Sequence, residues 1–140
     1  MDEDVKREII LSHYQNPLHK HVSDDSYVRV NTSNQSCIDN LDIYLKVEDN
    51  IIKDISFEGE ACAISISSTS IMIENLIGKT VEEAKEFINN FENMINEKEY
   101  DESILKDATV YDNIYKQSSR KTCANLPYRG ISDALDKYNK

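Results

Sequence analysis

Long apolar runs are missing from this chain of 140 residues. None approaches the roughly eighteen residues of a membrane-spanning helix, and the mean hydropathy of −0.59 suits a water-soluble protein. No apolar segment opens the chain in the manner of a secretory signal. Cysteine is scarce as well. Cys37, Cys62 and Cys123 are the only three, an odd number at wide spacing, which argues against a disulfide framework and for a reducing, cytoplasmic setting. Positive charge is in deficit: 16 Lys and Arg stand against 26 Asp and Glu, for a formal net charge of −10 and a pI near 4.7. Such a surface repels phosphate backbones, so no nucleic-acid partner is expected. It serves solubility or steers the protein toward a basic partner. There is no repeat, low-complexity tract or linker, and residues 1–140 are expected to form one domain with its own core.

What is present reads as helices around a small sheet. Val5, Ile9 and Ile10 recur at helical spacing behind early acidic residues, predicting a helix from Asp2 to Tyr14 that Asn16-Pro17 ends. The polar loop beyond carries His19, His21, Asp24 and Asp25, close in sequence to His13; a solvated loop explains these better than a metal site, because no regular ligand spacing emerges. Tyr27–Asn31 predicts a short strand, and Asn31–Ser36 a loop closed by Cys37-Ile38-Asp39. Leu41, Ile43, Leu45 and Val47 alternate with polar residues as in a half-buried strand. Glu48-Asp49-Asn50 turns the chain into a returning strand, Ile51–Phe57, which leads to Gly59.

After Cys62, hydroxyl residues interleave with isoleucines as far as Gly78. Intrinsic helix propensity is poor there, so a helix would depend on burial, its small residues allowing close packing. Cys62 would sit at its N-terminus, where free N–H groups and the helix dipole favour a thiolate. Thr80 and Glu83 form a capping box ahead of a strongly amphipathic helix containing Val81, Ala84, Phe87, Ile88, Phe91 and Ile95. Asn96–Asp107 reads as a loop or short helix, Val110, Ile114 and Tyr115 as a further turn. Ser118-Ser119 restarts the chain, and Cys123 falls early in a C-terminal helix continuing through Leu126, Ile131 and Leu135, which Pro127 is expected to kink or divide.

Cys37, Asp39, Cys62 and Cys123 carry the chemistry. Three thiolates and a carboxylate are a four-coordinate set acceptable to zinc. The oxygen is a hard partner in a soft site, so one ligand could be meant to leave. Three unrelated buried cysteines acting as small hydrophobes would give the same composition.

Four stretches change that balance. The opening helix ending in His13-Tyr14-Gln15-Asn16-Pro17, the triplet Cys37-Ile38-Asp39, the run Gly59-Glu60-Ala61-Cys62-Ala63-Ile64-Ser65, and Cys123-Ala124-Asn125-Leu126-Pro127-Tyr128 together resemble the IscU/SufU family of iron–sulfur assembly proteins. Threonine rather than histidine precedes Cys123, and the segment between Cys62 and Cys123 is long, which is similar to the SufU-like branch. The resemblance implies an α+β fold, a small antiparallel β-sheet packed against several α-helices. It implies zinc held by Cys37, Asp39, Cys62 and Cys123, with Cys37 as the catalytic sulfur acceptor. Its implied partners are a PLP-dependent, SufS-like cysteine desulfurase, one of whose histidines takes over a zinc position to free Cys37, and a downstream iron–sulfur scaffold.

Two residues depart from the family pattern. Ile38 stands where the family has glycine, and a β-branched residue cannot easily adopt a positive φ. Arg120 fits its position, whereas the expected lysine comes one residue early as Lys121. Arg120, Lys121 and Arg129 could lower a thiol pKa or meet an acidic patch on the desulfurase, or could simply be a solvated helix face. Three functions follow: a zinc-dependent sulfurtransferase subunit, a scaffold on which the same residues assemble a transient iron–sulfur cluster, and a zinc-stabilised adaptor without transfer chemistry.

Overall fold

The structure, a computed structural model, describes residues 1–34 and 38–138. Helix α1 spans Glu3–Gln15, with the Asp2 carboxylate accepting from the Val5 N–H at 2.9 Å and Asn16 closing the far end. Strands β1 (Val28–Ser33), β2 (Asn40–Glu48) and β3 (Ile51–Glu60) make an antiparallel sheet in the order β1-β2-β3. Helices α2 (Ala63–Leu76), α3 (Val81–Ile95), α4 (Glu102–Leu105) and α5 (Ser118–Tyr138) follow, with two short 3₁₀ turns, Lys106–Tyr111 and Ile114–Lys116, before α5. The fold is α+β. Among the described residues, no helix is long and apolar enough to cross a membrane.

Local chemistry accounts for most of these boundaries. Asp49 and Asn50 both have positive φ, the backbone a two-residue hairpin needs to follow the twist of its strands. β3 runs to Glu60 through Gly59, whose φ is +135° and whose missing Cβ leaves room for the Asn40 carbonyl across the ladder. The β1 strand outlasts its expected end, because Thr32 is buried and donates to the Leu126 carbonyl at 3.1 Å. Polar Asn31-Thr32-Ser33 reads as loop in isolation, and the helix lying over it makes it strand. Val5, expected on the inner stripe of α1, is exposed, and Lys6 is buried instead, 2.7 Å from Asp112.

Helix α5 is not divided at Pro127. It runs as one helix with the proline inside. A proline removes the donor that would serve the carbonyl four residues earlier, here Cys123, and the Ser65 hydroxyl lies 3.1 Å from that oxygen. Ser68 donates to the next carbonyl, Ala124, at 2.6 Å. Helix α5 is further held by Tyr128, stacked on Phe91 at 3.9 Å between centroids, and by Gly130, where a Cβ would come within 2.8 Å of Ile43. Together these contacts fix Cys123 opposite the start of α2.

Candidate metal centre

Cys62 is the N-cap residue of α2 and has no side-chain capping bond. The cap comes from elsewhere. Asp39, just before β2, is 1% exposed, accepts the Cys62 N–H at 2.7 Å on one carboxylate oxygen, and has the Ser65 hydroxyl 2.9 Å from the other. A buried carboxylate is costly unless it is hydrogen-bonded, and a helix N-terminus supplies both donors and favourable dipole. The Cys62 thiol lies 3.7 Å from the same Asp39 oxygen and 3.6 Å from Ser65 Oγ.

Cys123 completes the group from α5. Ligand atoms of Asp39, Cys62 and Cys123 all lie within 4.8 Å of one another. Asn34 Nδ2 is 4.0 Å from the Cys123 sulfur. Burial pushes the Cys123 thiol well above its ordinary pKa, and hydrogen bonds with Asp39 and Cys62 push it further. A bound cation reverses that preference, since a coordinating thiol loses its proton. Two sulfurs and an oxygen suit zinc, and cysteine sulfur equally suits an iron–sulfur cluster. The donor set therefore fits either group. Cys37 lies outside the described residues; Ile38 beside it is 71% exposed.

The histidines have other partners. His13 Nδ1 is 2.7 Å from Ser70 Oγ, His19 Nδ1 is 3.1 Å from Asp54, and His21 Nδ1 is 3.2 Å from the Val22 carbonyl. Among the described residues, only Asp39, Cys62 and Cys123 gather closely enough to hold a metal. Sequence reasoning missed Ser65 as a member of the site. Its signal was its position, three residues beyond the N-cap, from which a side chain reaches back over the first turn. One hydroxyl proton cannot serve both Asp39 and the Cys123 carbonyl at once, so Ser65 couples the carboxylate to the backbone of the third ligand.

A cleft of about 370 Å³ opens on the two cysteines, bounded by Asn34, Ala63, Ile64, Ser119 and Arg120. Arg120 thus belongs to the site's rim. Lys121 and Arg129 line a separate hollow with Asn125.

Known proteins match this chain along nearly its whole length. Residues 5–140 match the NifU-like N terminal domain. The chain is 36% identical over 132 residues to the zinc-dependent sulfurtransferase SufU of Bacillus subtilis, covering 94% of this chain and 89% of that one. It is also 36% identical over 133 residues to the iron–sulfur cluster assembly scaffold protein IscU of Thermotoga maritima, covering 95% and 94%. Among solved structures, the SufU of Fervidobacterium islandicum superposes with a TM-score of 0.88 at 34% identity, covering 91% of this chain and 94% of that one. The N-terminal part of a NifU-like protein from Brucella abortus, 21% identical, shares the fold with a TM-score of 0.82 and covers 98% and 96%. The chain belongs to the family of the NifU-like N-terminal domain, together with its SufU and IscU relatives.

Proposed function

We propose that residues 1–140 act as one unit in iron–sulfur cluster assembly, accepting persulfide sulfur from a cysteine desulfurase in the cytoplasm and relaying it onward. The observation that carries this reading is the convergence of Asp39, Cys62 and Cys123 within 4.8 Å, in a chain 36% identical to a zinc-dependent sulfurtransferase. Cys37 is the proposed acceptor and fourth ligand. It is two residues from Asp39, so at most about 7 Å of chain separates their Cα atoms.

When bound, zinc would hold the cysteines as thiolates and shield them from oxidation until a donor arrives. The residues do the rest. Asp39, anchored by the Cys62 N–H, keeps the thiols together without adding a fourth sulfur. Cys37, once free, attacks the outer sulfur of the donor's persulfide; a new S–S bond forms on Cys37, the donor's S–S bond breaks, and the donor cysteine leaves as a thiolate. Cys62 and Cys123 stay behind as anchors, both set on helices whose contacts are buried.

The test is alanine release by the desulfurase of the same organism, with free cysteine and no added reductant. Zinc-loaded protein is expected to raise turnover strongly, while metal-stripped protein and Cys37→Ala are not. Unchanged rates in all three cases would overturn the relay. A scaffold function is the second reading, favoured by the IscU relative of equal identity; anaerobic cluster assembly on Cys37, Cys62 and Cys123 would then be the outcome.

A further inference from the structure

Cys62 and Cys123 face one another from α2 and α5. Neither is in a disulfide, and their sulfurs lie within 4.8 Å of each other. What sets that separation is protein rather than metal. The Cys62 N–H is held by Asp39, and on α2 the Ser65 and Ser68 hydroxyls reach the Cys123 and Ala124 carbonyls of α5 through buried contacts. None of these bonds involves a sulfur, so they persist when a metal ion is taken away and keep the two thiols as neighbours. A disulfide needs its sulfurs about 2.05 Å apart, and a change of rotamer about one Cα–Cβ bond moves a cysteine sulfur by roughly 3 Å. Closure is therefore within reach of side-chain rotation, with both helices left in place.

The two sulfurs differ in access. Cys62 is half-buried, whereas Cys123 is 7% exposed, and both line the cleft of about 370 Å³ with Ala63 and Ile64. A small oxidant entering that cleft meets Cys62 first. Cys123 then stands behind it as the nearest thiol among the described residues, held there by packed helices, so that their reaction is intramolecular and fast. An exposed thiol with a second one close behind it is the arrangement from which oxidation ends in a disulfide rather than in higher oxides.

We propose that Cys62 and Cys123 are a reversible oxidation site: once the metal is lost, hydrogen peroxide or an organic hydroperoxide joins them in a disulfide that bars the metal from returning. With hydrogen peroxide, the Cys62 sulfur attacks first; an S–O bond forms, the O–O bond breaks, and the displaced oxygen leaves with the thiol proton as water. The Cys123 sulfur then attacks the sulfur of the Cys62 sulfenic acid; the S–S bond forms, the S–O bond breaks, and a second water leaves. Each sulfur gives up one electron, and one peroxide takes both. Two molecules of a small thiol entering by the same cleft reverse the change by exchange and leave as their own disulfide. In the oxidised chain both sulfurs are spent on each other, and of the three donors gathered at the site only Asp39 remains. Metal occupancy and oxidation thus exclude one another. The inference goes beyond the relay reading and does not rest on it, since no desulfurase takes part.

In the test, the full chain is stripped of metal with a chelator, reduced, freed of both reagents under argon, and treated with hydrogen peroxide beside a zinc-loaded sample. Peptide mapping by mass spectrometry without reductant is expected to find Cys62 joined to Cys123 in the stripped sample, with one of the three thiols left. The zinc-loaded sample should form that cross-link at least about tenfold more slowly. After removal of peroxide, the cross-linked protein should take up less than about a tenth of the zinc bound by the reduced protein, and dithiothreitol should restore uptake. Cys37→Ser should give the same cross-link, which separates this pair from pairing through the proposed acceptor; the wild-type map answers the same question should that variant fail to fold. A predominant cross-link to Cys37, no cross-link in the stripped sample, equal rates in the two samples, or full zinc uptake by the cross-linked protein would overturn the inference. A failed sulfur relay would alter none of these readouts.

Discussion

Helices α2 and α3 are of nearly equal length, and they are made in opposite ways. α3 carries its own instructions: a capping box in which Thr80 accepts from the Glu83 N–H at 3.1 Å and Glu83 accepts from the Thr80 N–H at 3.0 Å, and an apolar stripe of Val81, Ala84, Phe87, Ile88 and Phe91 that is buried while the opposite face is not. α2 has almost no exposed face. From Ser65 to Ile73 every residue is buried, and the hydroxyls of Ser65 and Ser68 reach carbonyls on α5. A helix that local sequence specifies can be placed anywhere an apolar groove exists. A helix that only its neighbours stabilise is locked to them, and it is this second kind that holds Cys62 and Ser65.

The largest expected difference is in packing. Ser68→Leu forces a large side chain into the buried contact of α2 with α5 and removes the donor to the Ala124 carbonyl, and should cost about 3 kcal/mol or more. Urea denaturation would measure it; a cost below about 1 kcal/mol would mean that the two helices can move apart. Ser65→Ala removes the hydroxyl shared by Asp39 and the Cys123 carbonyl, and should cost about 1–3 kcal/mol with weaker metal retention against a chelator. On α3 the comparable deletion is smaller. Thr80→Ala loses one cap of an exposed turn and should cost about 1 kcal/mol.

Tyr128 gives an effect of opposite sign. Its ring stacks on Phe91, but its hydroxyl is buried with no hydrogen-bond partner among the described residues, so Tyr128→Phe is expected to leave stability unchanged or raise it by up to about 1 kcal/mol. A loss on that substitution would show that the hydroxyl is hydrogen-bonded in solution. The smallest effect is the titration of the α3 cap. The backbone N–H of Thr80, followed by its hydroxyl, holds the Glu83 carboxyl below its ordinary value of 4.5. Its stabilisation is present above that value and fades as pH falls through the lowered pKa, because the unfolded chain then binds the proton more readily. Wild type and Glu83→Gln should therefore differ in stability near neutral pH and converge in acid.

Legibility in the sequence followed the same line. α1, the β2–β3 hairpin and α3 were readable because their signals lie within a few residues: early acidic residues ahead of Val5, alternation from Leu41 to Val47, Thr80 with Glu83. α2 was readable only as a burial-dependent helix, since serine and isoleucine without a polar face give no period. Thr32 and Pro127 misled for a shared reason. Each has a backbone or hydroxyl requirement met by a residue far away in the chain, Leu126 for Thr32 and Ser65 for the carbonyl that Pro127 leaves free. Of the candidate site, residue types and family resemblance pointed to Asp39, Cys62 and Cys123, and the structure brings these three together. Cys37 lies outside the described residues. Ser65 went unassigned because its role depends on two groups that meet only across α2 and α5.

The sequence alone determined the local elements with self-contained caps and periods, the scarcity of cysteine, and the overall excess of acidic residues. Tertiary structure decided what those residues do together. Asp39 becomes a cap only when β2 lies beside the start of α2, Cys123 meets Cys62 only because α5 is pinned across a helix of small side chains, and a proline is tolerated only where another helix offers the missing hydrogen. Hydrogen bonds and close packing between distant segments have no signature in either partner taken singly, which is why the donor set could be suspected from the chain but assembled only by the fold.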